Sequence, residues 1–113
     1  YRDSGLLTQA ITTYQKAIEA DPALHRPYSN MGFILIDNDM DVEEGLRLLE
    51  TALVSSPENP SHLHRKGWGL YKQGRYTEAL EVLERAWELR PSYNHEHFQH
   101  LQAARKAVAG EKR

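Results

Sequence analysis

The sequence predicts an all-α fold, a solenoid of antiparallel helix pairs ended by a closing helix, and three observations carry that expectation. The first is a repeat. Ala17 and Pro22 return as Ala52 and Pro57, 35 positions later, and again as Ala86 and Pro91, 34 positions further on. Gly32 and Gly67 are also 35 apart, and the small residues Ala10, Gly45 and Ala79 keep the same beat. A period of this length marks units that each bury a face against the next. The second observation is apolar spacing within the period. Leu7, Ala10, Ile11, Tyr14, Ala17 and Ile18 fall on one helical stripe, as do Ala79, Leu80, Leu83, Ala86 and Trp87, and no segment alternates as a strand does. The third is punctuation. Asp21-Pro22, Ser56-Pro57 and Arg90-Pro91 stop helices, because the residue before proline is pushed out of the helical region.

Taken in order, residues 1–22 hold one helix, the second half of a partial repeat. Residues 25–59 form a helical hairpin that turns at Asp37-Asn38-Asp39. Residues 60–93 form another, opened by Asn59 as a cap with Pro60 at the first helical position, and turning at Lys72-Gln73-Gly74. Residues 94–109 form the closing helix, with Asn94 as its cap. Its Phe98, Leu101, Ala104 and Val108 cover the last repeat while Gln99, Gln102, Arg105 and Lys106 face water, which the end of a solenoid requires. Residues 110–113 are a polar tail.

These residues resemble the tetratricopeptide repeat (TPR) family, whose pattern has a large residue, Leu-Gly and Tyr in the first helix, then Ala, Phe and Pro in the second. The third repeat carries Leu63, Lys66-Gly67, Leu70, Ala79, Leu83, Ala86 and Pro91 at those offsets. The second carries Tyr28, Met31-Gly32, Leu35, Gly45, Leu49, Ala52 and Pro57, with one extra residue in the Asn38 to Asp41 turn. The first keeps only Tyr1, Ala10, Tyr14, Ala17 and Pro22. Lys66 stands where the family prefers Leu, and Gly45 where it prefers Ala. The resemblance implies a right-handed superhelix whose first helices line a concave, ligand-holding face.

Composition narrows the function. With 113 residues, 40% hydrophobic and 27% charged, the chain reads as one soluble unit, too short for a catalytic barrel. It has no Cys, which excludes disulfides and thiolate metal sites. A net charge of -2 with interspersed signs offers no basic field for a nucleic acid. The longest apolar stretch, Met31 to Ile36, is far short of a membrane span, and no targeting segment is visible, leaving a cytoplasmic or periplasmic location open. The pattern opens in mid-repeat at Tyr1, so the helix bearing Leu7, Ile11, Tyr14 and Ile18 is expected to need a cover, either upstream residues or a second copy meeting it at this N-terminal edge.

By the family resemblance, outward positions on the first helices are Arg26, Ser29, Asn30, Phe33, Ile36 and Asp37 in one repeat, and Ser61, His64, Arg65, Trp68, Tyr71 and Lys72 in the next, followed by Phe98 and Gln102. Phe33, Trp68 and Tyr71 are rings that the core pattern does not require, and rings beside an arginine are hot-spot residue types. The alternative is that they pack against the neighbouring repeat. Some relatives grip a peptide's terminal carboxylate with Lys, Asn and Arg. Asn30 and Arg65 match two of those positions, and Ser61 replaces the Lys. Six histidines, His25, His62, His64, His95, His97 and His100, raise a metal reading, but His95 to His100 lacks the second His of H-E-x-x-H, and His62 and His64 point to different sides of a helix. They read as solvated or packing residues, with no metal or cofactor implied. There is no glycine-rich phosphate loop and no G-x-S-x-G, and the carboxylates sit with arginines on polar faces, so no enzyme activity is expected. The sequence points to a non-enzymatic protein-interaction module holding a peptide or partner protein, or else to a structural segment of a longer array.

Overall fold

The computed structural model describes residues 4–111. Its six helices are α1 (Ser4–Ala20), α2 (His25–Asp37), α3 (Val42–Ser55), α4 (Pro60–Lys72), α5 (Tyr76–Leu89) and α6 (His95–Glu111), and no strand occurs among the described residues. Tyr1, the marker expected to open the first repeat, lies outside them, as do the last two residues of the tail. Local chemistry sets the helix starts. Asp41 Oδ1 accepts from the Glu44 N–H at 3.0 Å, Asn59 Oδ1 from His62 at 3.1 Å and Asn94 Oδ1 from His97 at 3.0 Å, each satisfying a first-turn donor that has no helical partner. At the end of α4, Gly74 turns left-handed (φ 79°), and the Arg75 N–H reaches back to the Leu70 carbonyl at 3.0 Å. The α2–α3 turn does the same with Asp39 (φ 53°), a residue type that tolerates this region, and the extra residue lets both Met40 and Asp41 donate to the Leu35 carbonyl.

Glycines bring the paired helices into backbone contact. A Cβ on Gly32 would sit 2.7 Å from the Gly45 carbonyl oxygen, and one on Gly67 would sit 2.6 Å from Leu83 Cγ. Leu49, Ala52, Ala79, Leu83 and Ala86, the residues that mark the repeat, are all buried. Gly69 opens the gap between hairpins, since its Cβ would meet Leu46 at 2.8 Å and Ile36 at 2.9 Å. Ile36 fills that gap and is wholly buried, which corrects its expected place on the outward face. Ser29, also expected outward, is wholly buried too. Lys66, off the family pattern, forms a 2.8 Å ion pair with Glu50 between α4 and α3.

Each helix touches only near neighbours in the chain. α2 meets α4 and α4 meets α6, whereas α3 and α5 do not meet, so α2, α4 and α6 line the inner side of the curve. The body measures 47 × 32 × 23 Å, with a radius of gyration of 14.4 Å against the roughly 13 Å of a compact domain of this length. The closing helix seats Leu101 and Ala104 against Leu83, as its apolar spacing predicts. It runs two residues past Ala109 into the expected tail, because Gly110 stays out of the left-handed conformation that would end it. α1 touches only α2; its apolar stripe is half-buried, and Leu6 is 61% exposed.

Candidate functional site

The inner face is built on α2, α4 and α6, whose spacing of about one repeat places residues 35 to 37 apart beside one another. Arg65 of α4 is the centre of the α2 side. Its Nη1 donates to Ser29 Oγ and to Asn30 Oδ1, both at 2.9 Å, and its guanidinium lies 4.8 Å from the Phe33 ring centroid. Burial pulls the guanidinium below its ordinary pKa, so the charge is poorly hydrated. Among the described residues no carboxylate lies within ion-pair distance of it. Lys72, by contrast, is engaged: its Nζ donates to Asp39 Oδ1 at 3.1 Å and to the Asp37 carbonyl at 3.3 Å.

On the α6 side the expected ring surface is partly covered. Trp68 stacks on His100 with centroids 3.6 Å apart and planes within 6°, and Tyr71 lies 4.9 Å from Trp68. α6 folds over one side of the Trp68 ring, which stays half-buried. His64, expected among the groove contacts, is 3% exposed and lies under α6, where His97 stacks on it at 3.7 Å. Its Nε2 is 2.8 Å from His100 Nδ1 in nearly coplanar rings. Phe98 faces α5 and the loop before α6, near Trp87 and Tyr93. It also lines a cavity of about 580 Å³ between Tyr71 and α6, with Gln102 and Lys106 on its rim. Arg26 and Asp37 are exposed at the edges of the face.

Two nitrogen-to-nitrogen imidazole contacts join the inner helices, where the histidines were expected to be solvated or packing. His25 Nδ1 sits 2.8 Å from His62 Nε2 between α2 and α4, and His64 meets His100 between α4 and α6. Their separations of 37 and 36 residues are close to the repeat period, the signal that pairs them. Burial lowers the pKa of His62 to about 4 and of His64 to about 2, and lowers those of His97 and His100 as well. Among the described residues no three His, Asp or Glu side chains converge to hold a metal ion, and no helix is long and apolar enough to cross a membrane.

A family profile for the TPR repeat matches residues 1–39, and one for the tetratricopeptide repeat matches residues 41–94. No curated protein sequence matches significantly. The TPR domain of Sgt2 from Aspergillus fumigatus superposes with a TM-score of 0.85 at 19% identity, covering 96% of this chain and 72% of that one. The first TPR of Spaghetti (RPAP3), solved with the HSP90 peptide SRMEEVD, gives 0.83 at 23% identity, covering 96% and 85%. MamA gives 0.79 at 19% identity, covering 96% and 62%. At these identities the superpositions establish the fold, while the two profiles span everything up to residue 94 except Met40. The chain belongs to the tetratricopeptide repeat family.

Proposed function

We propose that this chain is a non-enzymatic interaction module that holds a peptide segment of a partner protein along its inner face, with Arg65 as the anchor for a carboxylate of that segment. The observation that carries the reading is the state of Arg65, a desolvated cation whose contacts are a hydroxyl, an amide oxygen and a ring, all neutral, with Glu96 acting on it only from beyond ion-pair distance. A carboxylate arriving there gains two parallel charge-assisted hydrogen bonds in a partly dry site. Asn30 and Phe33 flank it, Trp68, Tyr71 and Lys72 continue the surface toward Phe98, and Arg26 and Asp37 border it. The Spaghetti TPR holds a peptide with acidic residues on the same fold, which supports the class of ligand. Ser61, in place of a lysine, argues for a grip with fewer cations. The test is a displayed peptide library panned on the whole chain. Enriched sequences are expected to carry carboxylates and to lose about tenfold or more in affinity with Arg65→Gln, the scale of one charge-assisted contact. A library that yields no binders, or binders indifferent to that change, overturns the reading.

A second reading, self-association through α1, is favoured by the half-buried stripe of Leu7, Ile11, Tyr14 and Ile18 and by the exposed Leu6 beside it.

A further inference from the structure

The closing helix is held to the rest of the molecule by two seats of different chemistry. Against α5 the seat is apolar: Phe98, Leu101 and Ala104 pack on Trp87 and Leu83. Against α4 it is a layer of stacked rings in which His97 lies on His64, His64 pairs edge to edge with His100, and His100 lies on Trp68. Two ring nitrogens 2.8 Å apart need one N–H and one lone pair, so the pair holds a single shared proton; a second puts two donors head to head. His97 Nδ1 is buried without a partner, so a proton placed there has no acceptor.

The charged groups facing this layer come from three helices. Arg65 and Lys72 of α4 oppose protonation, while Glu96 of α6 and Asp37 of α2 favour it. Burial outweighs the carboxylates, and all three imidazoles lie below their ordinary pKa, His64 furthest. We infer that the imidazole layer between α4 and α6 is a proton-operated latch, which docks the closing helix on the inner face when neutral and releases it when protonated. Release takes away the 580 Å³ hollow, whose lining is α6 apart from Tyr71, and uncovers the rings of His64 and Trp68 on α4, so the C-terminal end of the inner face is bared in mild acid. The latch stands on this packing and requires no ligand, so it survives or fails separately from the peptide-binding reading.

An imidazole that titrates near 6.5 when free and stays neutral when docked shifts docking about tenfold toward release at pH 5.5, and two such groups shift it about a hundredfold. A freed 17-residue helix is marginal in water, so its amides exchange. Hydrogen exchange by mass spectrometry on the whole chain at pH 7.5 and 5.5, corrected for intrinsic rates, reads this directly. The reference is α3, which carries no histidine. Protection of α6 is expected to fall at least tenfold more than that of α3, and the His64→Gln, His100→Gln double variant is expected to abolish most of that difference. Equal changes in α6 and α3, or a difference fully retained in the double variant, overturn the latch. An imidazole titration of the unaltered chain by NMR needs no variant: His64 is expected to protonate only as α6 opens. Titration of His64 near 6.5 with α6 still protected overturns the latch as well.

Discussion

At Gly32 two opposing effects meet in one methyl group. Alanine there improves helix propensity by about 1 kcal/mol, yet its Cβ would lie 2.7 Å from the Gly45 carbonyl oxygen, backbone against backbone, and overpacking of that kind costs about 1–3 kcal/mol. Neither main chain can yield without moving a helix, so the clash wins. Gly32→Ala is expected to lose about 1–2 kcal/mol in urea unfolding. Gly110→Ala, with nothing within 4 Å of the new carbon, is expected to leave stability equal or higher, and a neutral Gly32→Ala would contradict the close approach. Such residues were legible in the sequence because the repeat fixes their environment: Gly32, Gly67, Ala79 and Leu83 occupy the buried positions that the period assigns. His64 was not. Spacing puts it on the line of outward positions, but it is covered by rings 33 and 36 residues further on, and no local pattern reports that.

Helix boundaries were legible for the same local reasons. Asn59 and Asn94 cap, Pro22, Pro57 and Pro91 follow stops, and Gly74 takes the left-handed turn, each a matter of a few adjacent residues. The reach of α6 was less so, since a glycine near a helix end either terminates it or is tolerated, and Gly110 is tolerated. Of the groove expected on the inner helices, Arg65, Asn30, Ser29 and Phe33 came together, with Ser29 buried against the guanidinium, whereas Ile36 turned inward to fill space that its own helix does not reveal. α1 supports a prediction of its own. With only α2 against it and Leu6 at 61% exposure, sedimentation is expected to show mass rising with concentration and Leu6→Glu to restore the monomer. A monomer at every concentration excludes association through this face.

For the molecule as a whole, the buried imidazoles tie stability to pH, and the sign follows from their direction. The folded chain holds His62 and His64 below 6.5, so the unfolded chain binds more protons under that pH. Their contribution is fully present above 6.5 and is lost as pH falls through 6.5 toward about 4 for His62 and about 2 for His64. His64 alone removes on the order of 1 kcal/mol at pH 5.5, and His62 adds to the loss. Urea unfolding at pH 7.5 and 5.5 checks this, and an unchanged midpoint would show that the imidazoles titrate freely in the folded chain.

Among the described residues each helix also touches only its next or next-but-one neighbour, with α1 meeting only α2 and α6 meeting only α4 and α5. Among the described residues nothing bridges the first helix to the last, so tension applied at α1 and α6 passes through the hairpins in series. No single bond cluster bears the load as a clamp does. Unfolding under such a load is therefore expected to run pair by pair rather than as one all-or-none break.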